Sequence, residues 1–326
     1  MAKKAKAAAA VVTPADLQKS VDNIKTNSIC VLIKTSRFTV RRTVKQDRVD
    51  VESRDAKGAN IDQDLMTVAK DLLDSPELRK IVTYDHVTKV WVKARTVQSP
   101  LLRASAYLLD VDALPDMYEY LEARKKGRGE PLQDFAAAYP ALVKAAKTRL
   151  GPLFDQGDYP PVAELLKLFD FSFSVIEIVT PNDKLRTISQ ALFEKEKSKA
   201  EAVWQSAVGQ INDALVESMS EVVEHLGERL GGGDEAPKRF RASALKKVTD
   251  FVETFAQRNV TGNAQLNKLV ADAKAMLEGV DVKAVKKDGD LRKKLASSIA
   301  GIKASLDGMM ENRPSRAISV GGDDAI

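Results

Sequence analysis

At 326 residues, with 44% hydrophobic and 30% charged side chains, the chain has the composition of a packed globular protein long enough for two domains. Its 51 basic and 46 acidic residues leave a net charge of +5, too mild an excess to mark a nucleic-acid-binding protein alone. No apolar run reaches the ~18–20 residues of a membrane span, and the single Cys30 excludes an internal disulfide and fits a reducing, cytoplasmic setting.

Residues 1–13 carry Lys3, Lys4 and Lys6 before an alanine run that lacks the leucine-rich core of a secretory signal, so they read as a solvated basic tail. Leu17, Val21 and Ile24 then mark a short amphipathic helix over Pro14–Asn27. The period changes at Ser28. Ile29 to Ile33 is a β-rich run, and from Arg37 to Lys45 the residues Phe38, Val40 and Val44 alternate with Thr and basic side chains. Val49 and Val51 extend that strand or add a third, and a small antiparallel unit with one apolar and one Arg/Thr face is expected. Asn60, with Asp62 and Asp64 behind it, is read as the cap of a helix carrying Ile61, Leu65, Val68, Ala69 and Leu72. Ser75-Pro76-Glu77 ends it and caps the next helix, which runs through Ile81 toward Trp91; the β-branched Val82–Val92 part is open to a strand reading, with helix preferred. Arg103–Val111 reads as a strand, Pro115 opens a helix ending in the polar run Arg124–Gly129, and Pro131–Leu150 reads as a helix that Pro140 breaks or bends. A Gly/Pro/Asp loop, a short helix at Val162–Phe169 and a strand at Phe171–Val179 follow.

From Thr180 to Gly233 lies the longest uninterrupted pattern, with Thr180 as cap, Pro181 at the first helical position, Asp183 in the first turn and Gly231-Gly232-Gly233 as the stop. It reads as one continuous helix, roughly 75 Å at ~1.5 Å per residue, or as two meeting at a kink. Trp204, Val208, Ile211, Leu215, Ser218, Val222 and Leu226 recur at steps of four and three, a heptad-like coiled-coil seam. Upstream, Leu185, Ile188 and Leu192 start a stripe that the charged run Glu194–Lys199 interrupts, and that run is expected to cross solvent as a connector. Three further helices are marked by Leu245–Phe255, Leu266–Leu277 and Leu291–Met309, enough to bury the seam in an antiparallel bundle. The expected fold is mainly α: an α+β lobe at 14–179, the long helix plus C-terminal helical bundle at 180–311, and a disordered tail at 312–326.

Chemistry-bearing constellations are sparse. His86 and His225 lie far apart without Cys partners at ligand spacing, Cys30 sits inside an apolar run as a structural thiol, and neither a metal nor a cofactor is expected. Gly231-Gly232-Gly233 follows a helix, the wrong setting for a phosphate loop, and Gly127-Arg128-Gly129 reads as a basic turn. Asp110 with Asp112 and Asp323 with Asp324 lack an apolar setting that would tune them for acid–base work. The best polar candidate is the basic strand face of Lys34, Arg37, Arg41 and Lys45, with Arg48 beside it, which suits phosphates; Phe38 would stack on bases if it emerged there. The same pattern also suits the solvated face of a two-sided sheet. Lys125-Lys126-Arg128 and Lys238-Arg239-Arg241 add charge in turns, while Lys286-Lys287 and Lys293-Lys294 read as wet helix faces.

Leu150-Gly151-Pro152-Leu153-Phe154, Asp158-Tyr159-Pro160, Phe169-Asp170-Phe171 and Asn259-Val260-Thr261-Gly262-Asn263 resemble a family of uncharacterised phage and prophage proteins. The resemblance spans about Asn27 to Met310 and rests on turn and cap residues. It implies no catalytic residue, and it implies an AAA-type ATPase as a protein partner, since genes of the family lie near such ATPases. The leading expectation is thus a non-enzymatic interaction or scaffold protein in the bacterial host cytoplasm that acts through helical surfaces, with self-association through the exposed part of the long helix as a subsidiary expectation. The alternative is a nucleic-acid-binding protein using the basic strand face.

Overall fold

Pro14, with its φ already helical, opens α1 (Pro14–Asn27) in a computed structural model that describes residues 14–45, 67–102, 105–177, 184–231, 240 and 242–311. The apolar run then forms β1 (Ser28–Thr35), and β2 (Arg41–Thr43) pairs antiparallel with β3 (Ala69–Asp71). α2 (Pro76–Lys93) starts at Ser75, whose Oγ accepts from the Leu78 amide at 3.1 Å and donates to Glu77 Oε2 at 2.9 Å. β4 (Val97–Gln98) and β5 (Ala106–Asp110) pair antiparallel, and the four-stranded sheet has the order β4-β5-β1-β6 with β6 at Phe171–Ile176. Between β5 and β6 lie α3 (Leu114–Gly127), α4 (Gly129–Leu150) and α5 (Val162–Lys167). α6 (Lys184–Ile188) and α7 (Gln190–Leu230) follow, then α8 (Ala242–Arg258), α9 (Ala264–Leu277), the short α10 (Val282–Lys287) and α11 (Gly289–Glu311).

The chain is mainly α with a small α+β part, as the periodicity predicts. Its division into two compact units is not the sequential split expected at residue 179. Among the described residues, unit one draws on those up to Val31, those within Lys93–Leu114 and those from Val175 onward, and unit two on those within Leu32–Val92 and Pro115–Ser174. The chain changes unit inside β1 and again inside β6, so an N-terminal lobe cannot be cut off at one point. The tails at 1–13 and 312–326 lie outside the described residues, as do the Asn60 and Thr180 caps, Val49, Val51, Arg48, Gly232-Gly233, Lys238-Arg239-Arg241 and Asp323-Asp324.

In unit one, α7 packs against α8, α11 and α1, and α9 packs against α8 and α11. α7 is 41 residues long, about 60 Å. It starts at a break: Ser189 is extended, its Oγ accepts from the Leu192 amide at 3.3 Å, and α6 ends just before it. Its far end closes on Gly231 in the left-handed conformation (φ 88°), whose amide donates to Gly227 O. Trp204, Val208, Ile211, Leu215 and Leu226 are buried as expected, but Ser218 and Val222 are only half-buried and Met219 and Val223 take the inner positions. The buried stripe therefore follows a straight helix inside a multi-helix core: the seam is buried in the bundle, but its coiled-coil heptad spacing does not hold past Leu215. Ile188 (76% exposed) and Leu192 (42%) are on the surface, and Phe193 is the buried residue there. Glu194–Lys199 is no connector between lobes either, because α7 belongs to unit one over its whole length.

Unit two packs α2, α4 and α5 around Phe38, Leu72, Ile81, Phe135, Tyr139 and Leu165. Two expectations fail here for one reason: contacts distant in sequence override local pattern. The Val68–Leu72 part of the expected helix is extended instead, with Leu72 N donating to Val40 O at 2.7 Å and Val44 N to Val68 O at 2.8 Å on either side of the β2–β3 register. β1 and β2 form no hairpin, because Ser36 is tied to the start of β6: its amide donates to Asp170 O at 2.9 Å and its Oγ to Leu168 O at 2.8 Å. Helix α4 continues through Pro140 without interruption.

Candidate basic strand face

The alternation from Arg37 to Lys45 survives in the structure although only Arg41–Thr43 is strand. Phe38 and Val44 are buried and Val40 is half-buried, while Arg37, Thr39, Arg41, Thr43 and Lys45 are all exposed. Side chains alternate sides on an extended chain, so Phe38, Val40 and Val44 on the core side leave the odd positions facing water; Arg42 departs from the pattern and is exposed as well. At ~3.3 Å per residue, Arg41 and Lys45 lie roughly 13 Å apart along the strand. No acidic residue occurs between Asp22 and Asp47, so this stretch carries its own positive field. One carboxylate comes from across the ladder, because Asp71 is the register partner of Arg41.

Lys34 does not share this face. It projects from β1 in the four-stranded sheet, exposed, with its Nζ 3.8 Å from Asp170 Oδ2. Phe38, at 2% exposure, meets Tyr139 edge-on at 6.4 Å in the core, so base stacking through Phe38 is excluded. Arg149 joins the neighbourhood instead: from the last turn of α4 it donates to Asp71 O at 2.8 Å. Sequence reasoning missed Arg149, and only its position near a helix end marked it.

Two neighbouring cations, the buried Lys70 and the exposed Arg42, share Asp158. Lys70 is buried, with Nζ 2.7 Å from Asp158 Oδ2 and donating to Leu153 O at 2.6 Å, and Arg42 Nε lies 3.9 Å from Asp158 Oδ1. Tyr159 donates to Leu72 O at 3.1 Å and stacks on Phe154 at 4.9 Å. Burial, and secondarily the adjacent Asp158, push its phenol above the ordinary value. The Leu150–Tyr159 segment carried by the resemblance is thus the buttress behind β2 and β3.

No protein-family profile, curated protein or solved structure matches the chain.

The remaining sequence candidates resolve into structural roles. Arg128 is the turn residue between α3 and α4, as expected of Gly127–Gly129, but its charge is not solvated. It is 3% exposed between α3 and α4, and it grips Asp85 through Nε–Oδ1 at 2.8 Å and a second nitrogen to Oδ2 at 3.0 Å. The same guanidinium donates to Ser36 O at 3.0 Å and Asp170 O at 3.3 Å. Gly127 lies close beside it: a Cβ there would meet the Tyr84 hydroxyl at 2.5 Å, so a side chain at this position would displace that hydroxyl from its bond to Arg124 O. Asp110 accepts from the Asp112 amide at 2.9 Å as a turn cap. Cys30 is fully buried, and desolvation pushes its thiol up to about 11 against an opposing hydrogen bond with the Tyr107 backbone. His86 is exposed and His225 half-buried; among the described residues no three His, Cys, Asp or Glu side chains are grouped to hold a metal. Asn259–Asn263 is the α8–α9 corner: Thr261 donates to Asn212 Oδ1 at 2.7 Å, Gly262 is left-handed (φ 66°), and Asn263 Oδ1 caps α9 through the Leu266 amide at 3.1 Å.

Proposed function

We propose that the protein is a binding protein that engages the phosphate backbone of nucleic acid through Arg37, Arg41 and Lys45, and that it is not an enzyme. The observation that carries this reading is the run of five consecutive odd-numbered side chains, Arg37 to Lys45, all exposed while Phe38 and Val44 are held in the core; the exposed Arg42 between them is set beside Asp158. Three cations fixed on one extended segment present a row of charge at little conformational cost, and Thr39 and Thr43 supply hydroxyls between them. Neutralising three phosphates gives a salt slope near −2.7, so affinity should fall about 40-fold between 50 and 200 mM salt. Fluorescence anisotropy with a labelled 30-base-pair duplex and a 30-nucleotide single strand tests it. Replacing Arg37, Arg41 and Lys45 together by Ala should cut affinity at least tenfold without moving the thermal midpoint. Absence of binding to either probe at 50 mM salt removes the proposal.

A protein partner is the second reading, favoured by Val87 (49% exposed) and Val90 (52%) one turn apart on α2. The AAA-type ATPase implied by the resemblance is the partner to test first. The reading expects Val87→Lys with Val90→Lys to abolish its co-purification and to leave nucleic-acid binding intact. Self-association, expected through the exposed part of the long helix, would use Leu192 (42% exposed) and Val203 (54%), since the buried α7 stripe is covered by the chain's own helices.

A further inference from the structure

Upstream of Trp204 the inner stripe of α7 continues at Ala200, Lys197 and Phe193, in steps of four, three and four. Phe193 and Trp204 are both buried. Between them stand a methyl group and a lysine whose ammonium must stay in water, so two large aromatic side chains are separated by about 16 Å of helix with little to fill it. α1 lies along this part of unit one and faces the gap with Leu17 and Val21. The result is a groove of about 560 Å³ whose apolar lining is Leu17, Val21, Phe193, Ala200 and Trp204. That volume falls in the ~300–1,000 Å³ range of small-molecule sites, which combine apolar walls with a few fixed polar groups.

The polar groups select the charge of an occupant. Lys197 is directed to Glu201, Nζ to Oε1 at 4.0 Å. Lys25 makes no ion pair among the described residues, and its Nζ stands 5.4 Å from the centre of the Trp204 ring. One cation over an aromatic wall at the end of an apolar trough complements an apolar body carrying one anionic head. We infer that the α1–α7 groove binds a medium-chain carboxylate, its hydrocarbon between Phe193 and Trp204 and its carboxylate on Lys25. This site is independent of the basic strand face.

The chain has two tryptophans, so Trp91→Phe leaves Trp204 as the sole reporter in the full-length protein. Titration with octanoate should give a saturable change in its emission. Octylammonium, the same tail with the opposite charge, should bind at least tenfold more weakly. Lys25→Glu should weaken octanoate at least tenfold, and Ala200→Leu, which fills the gap, should abolish the response, both with unchanged thermal midpoints. Saturation-transfer NMR on the unsubstituted protein reads the octanoate–octylammonium contrast without the Trp91 change. No saturable response to octanoate, equal binding of octylammonium, or unaltered affinity in Lys25→Glu overturns the inference.

Discussion

Removing the Asp85 carboxylate should destabilise unit two more than any surface substitution. The two side chains of the Asp85–Arg128 pair are 6% and 4% exposed, so water cannot replace what is lost. Asp85→Ala leaves Arg128 charged and buried with Nε and one terminal donor unfilled, while Ser36 O and Asp170 O still hold the other side. Two charge-assisted bonds at ~1.5–3 kcal/mol each give ~3–6 kcal/mol, in line with the ~3–5 kcal/mol for breaking a buried pair from one side. Against a typical domain stability of ~5–15 kcal/mol this is a large share. Hydrogen exchange followed by mass spectrometry on the full chain separates the units. Slow amides of α2, α3 and α4 should exchange at least about 100-fold faster, the low end of that loss at ~1.4 kcal/mol per decade, with α8, α9 and α11 unchanged. Asp85→Leu combined with Arg128→Met should recover part of the loss, because an apolar pair leaves no stranded charge. Acceleration below about fivefold in Asp85→Ala would show that the pair behaves like an exposed one and refute the reasoning.

Cys30 should resist iodoacetamide at pH 8 in the folded chain and react fully in denaturant, since its thiol is buried and titrates near 11. Because its folded pKa lies above the model-peptide value, its stabilising share is intact below pH ~9 and is lost as pH rises toward 11, roughly 2–3 kcal/mol that Cys30→Ala should remove from an alkaline unfolding profile. Ser75→Ala removes the cap on the Leu78 amide and should cost unit two ~1 kcal/mol in urea titrations. Gly231→Ala forces a Cβ into the left-handed region and should cost ~1–2 kcal/mol, read as faster exchange at the end of α7.

Where local periodicity decides structure, the sequence was legible. Leu245, Val248 and Phe255 on α8, Leu266 and Val270 on α9, and Leu295, Ile299, Ile302 and Leu306 on α11 are the residues that the structure buries. Where a distant partner decides, it was not. Val68, Ala69 and Leu72 fit a helical spacing as well as an extended one, and only the Val40–Val44 segment resolves the choice. Arg128 looked like turn charge because nothing near it in sequence announces Asp85, 43 residues earlier. The basic face was readable because alternation is local. The loss of Lys34 from it and the arrival of Arg149 depend on sheet partners and on the end of α4, which alternation does not encode.

The second half of α7 separates two repeats that differ by one residue. A heptad carried past Leu215 puts Ser218 and Val222 inside, whereas the structure buries Met219 and Val223 and returns to the expected position at Leu226. The buried positions from Trp204 to Leu230 average about 3.7 residues per step, away from the 3.5 that a left-handed supercoil requires. A helix enclosed by α1, α8 and α11 has no single partner seam to follow, so its inner stripe keeps the repeat of a straight helix. Paired substitutions distinguish the two. Val223→Asp places a carboxylate where exposure is 1% and should cost at least ~3 kcal/mol, seen as a lowered thermal midpoint and faster exchange in α7, α8 and α11. Val222→Asp, half-buried and able to turn its carboxylate to water, should cost no more than about half as much. The reverse order would reinstate the heptad and, with it, an α7 built to pair with another helix along one seam.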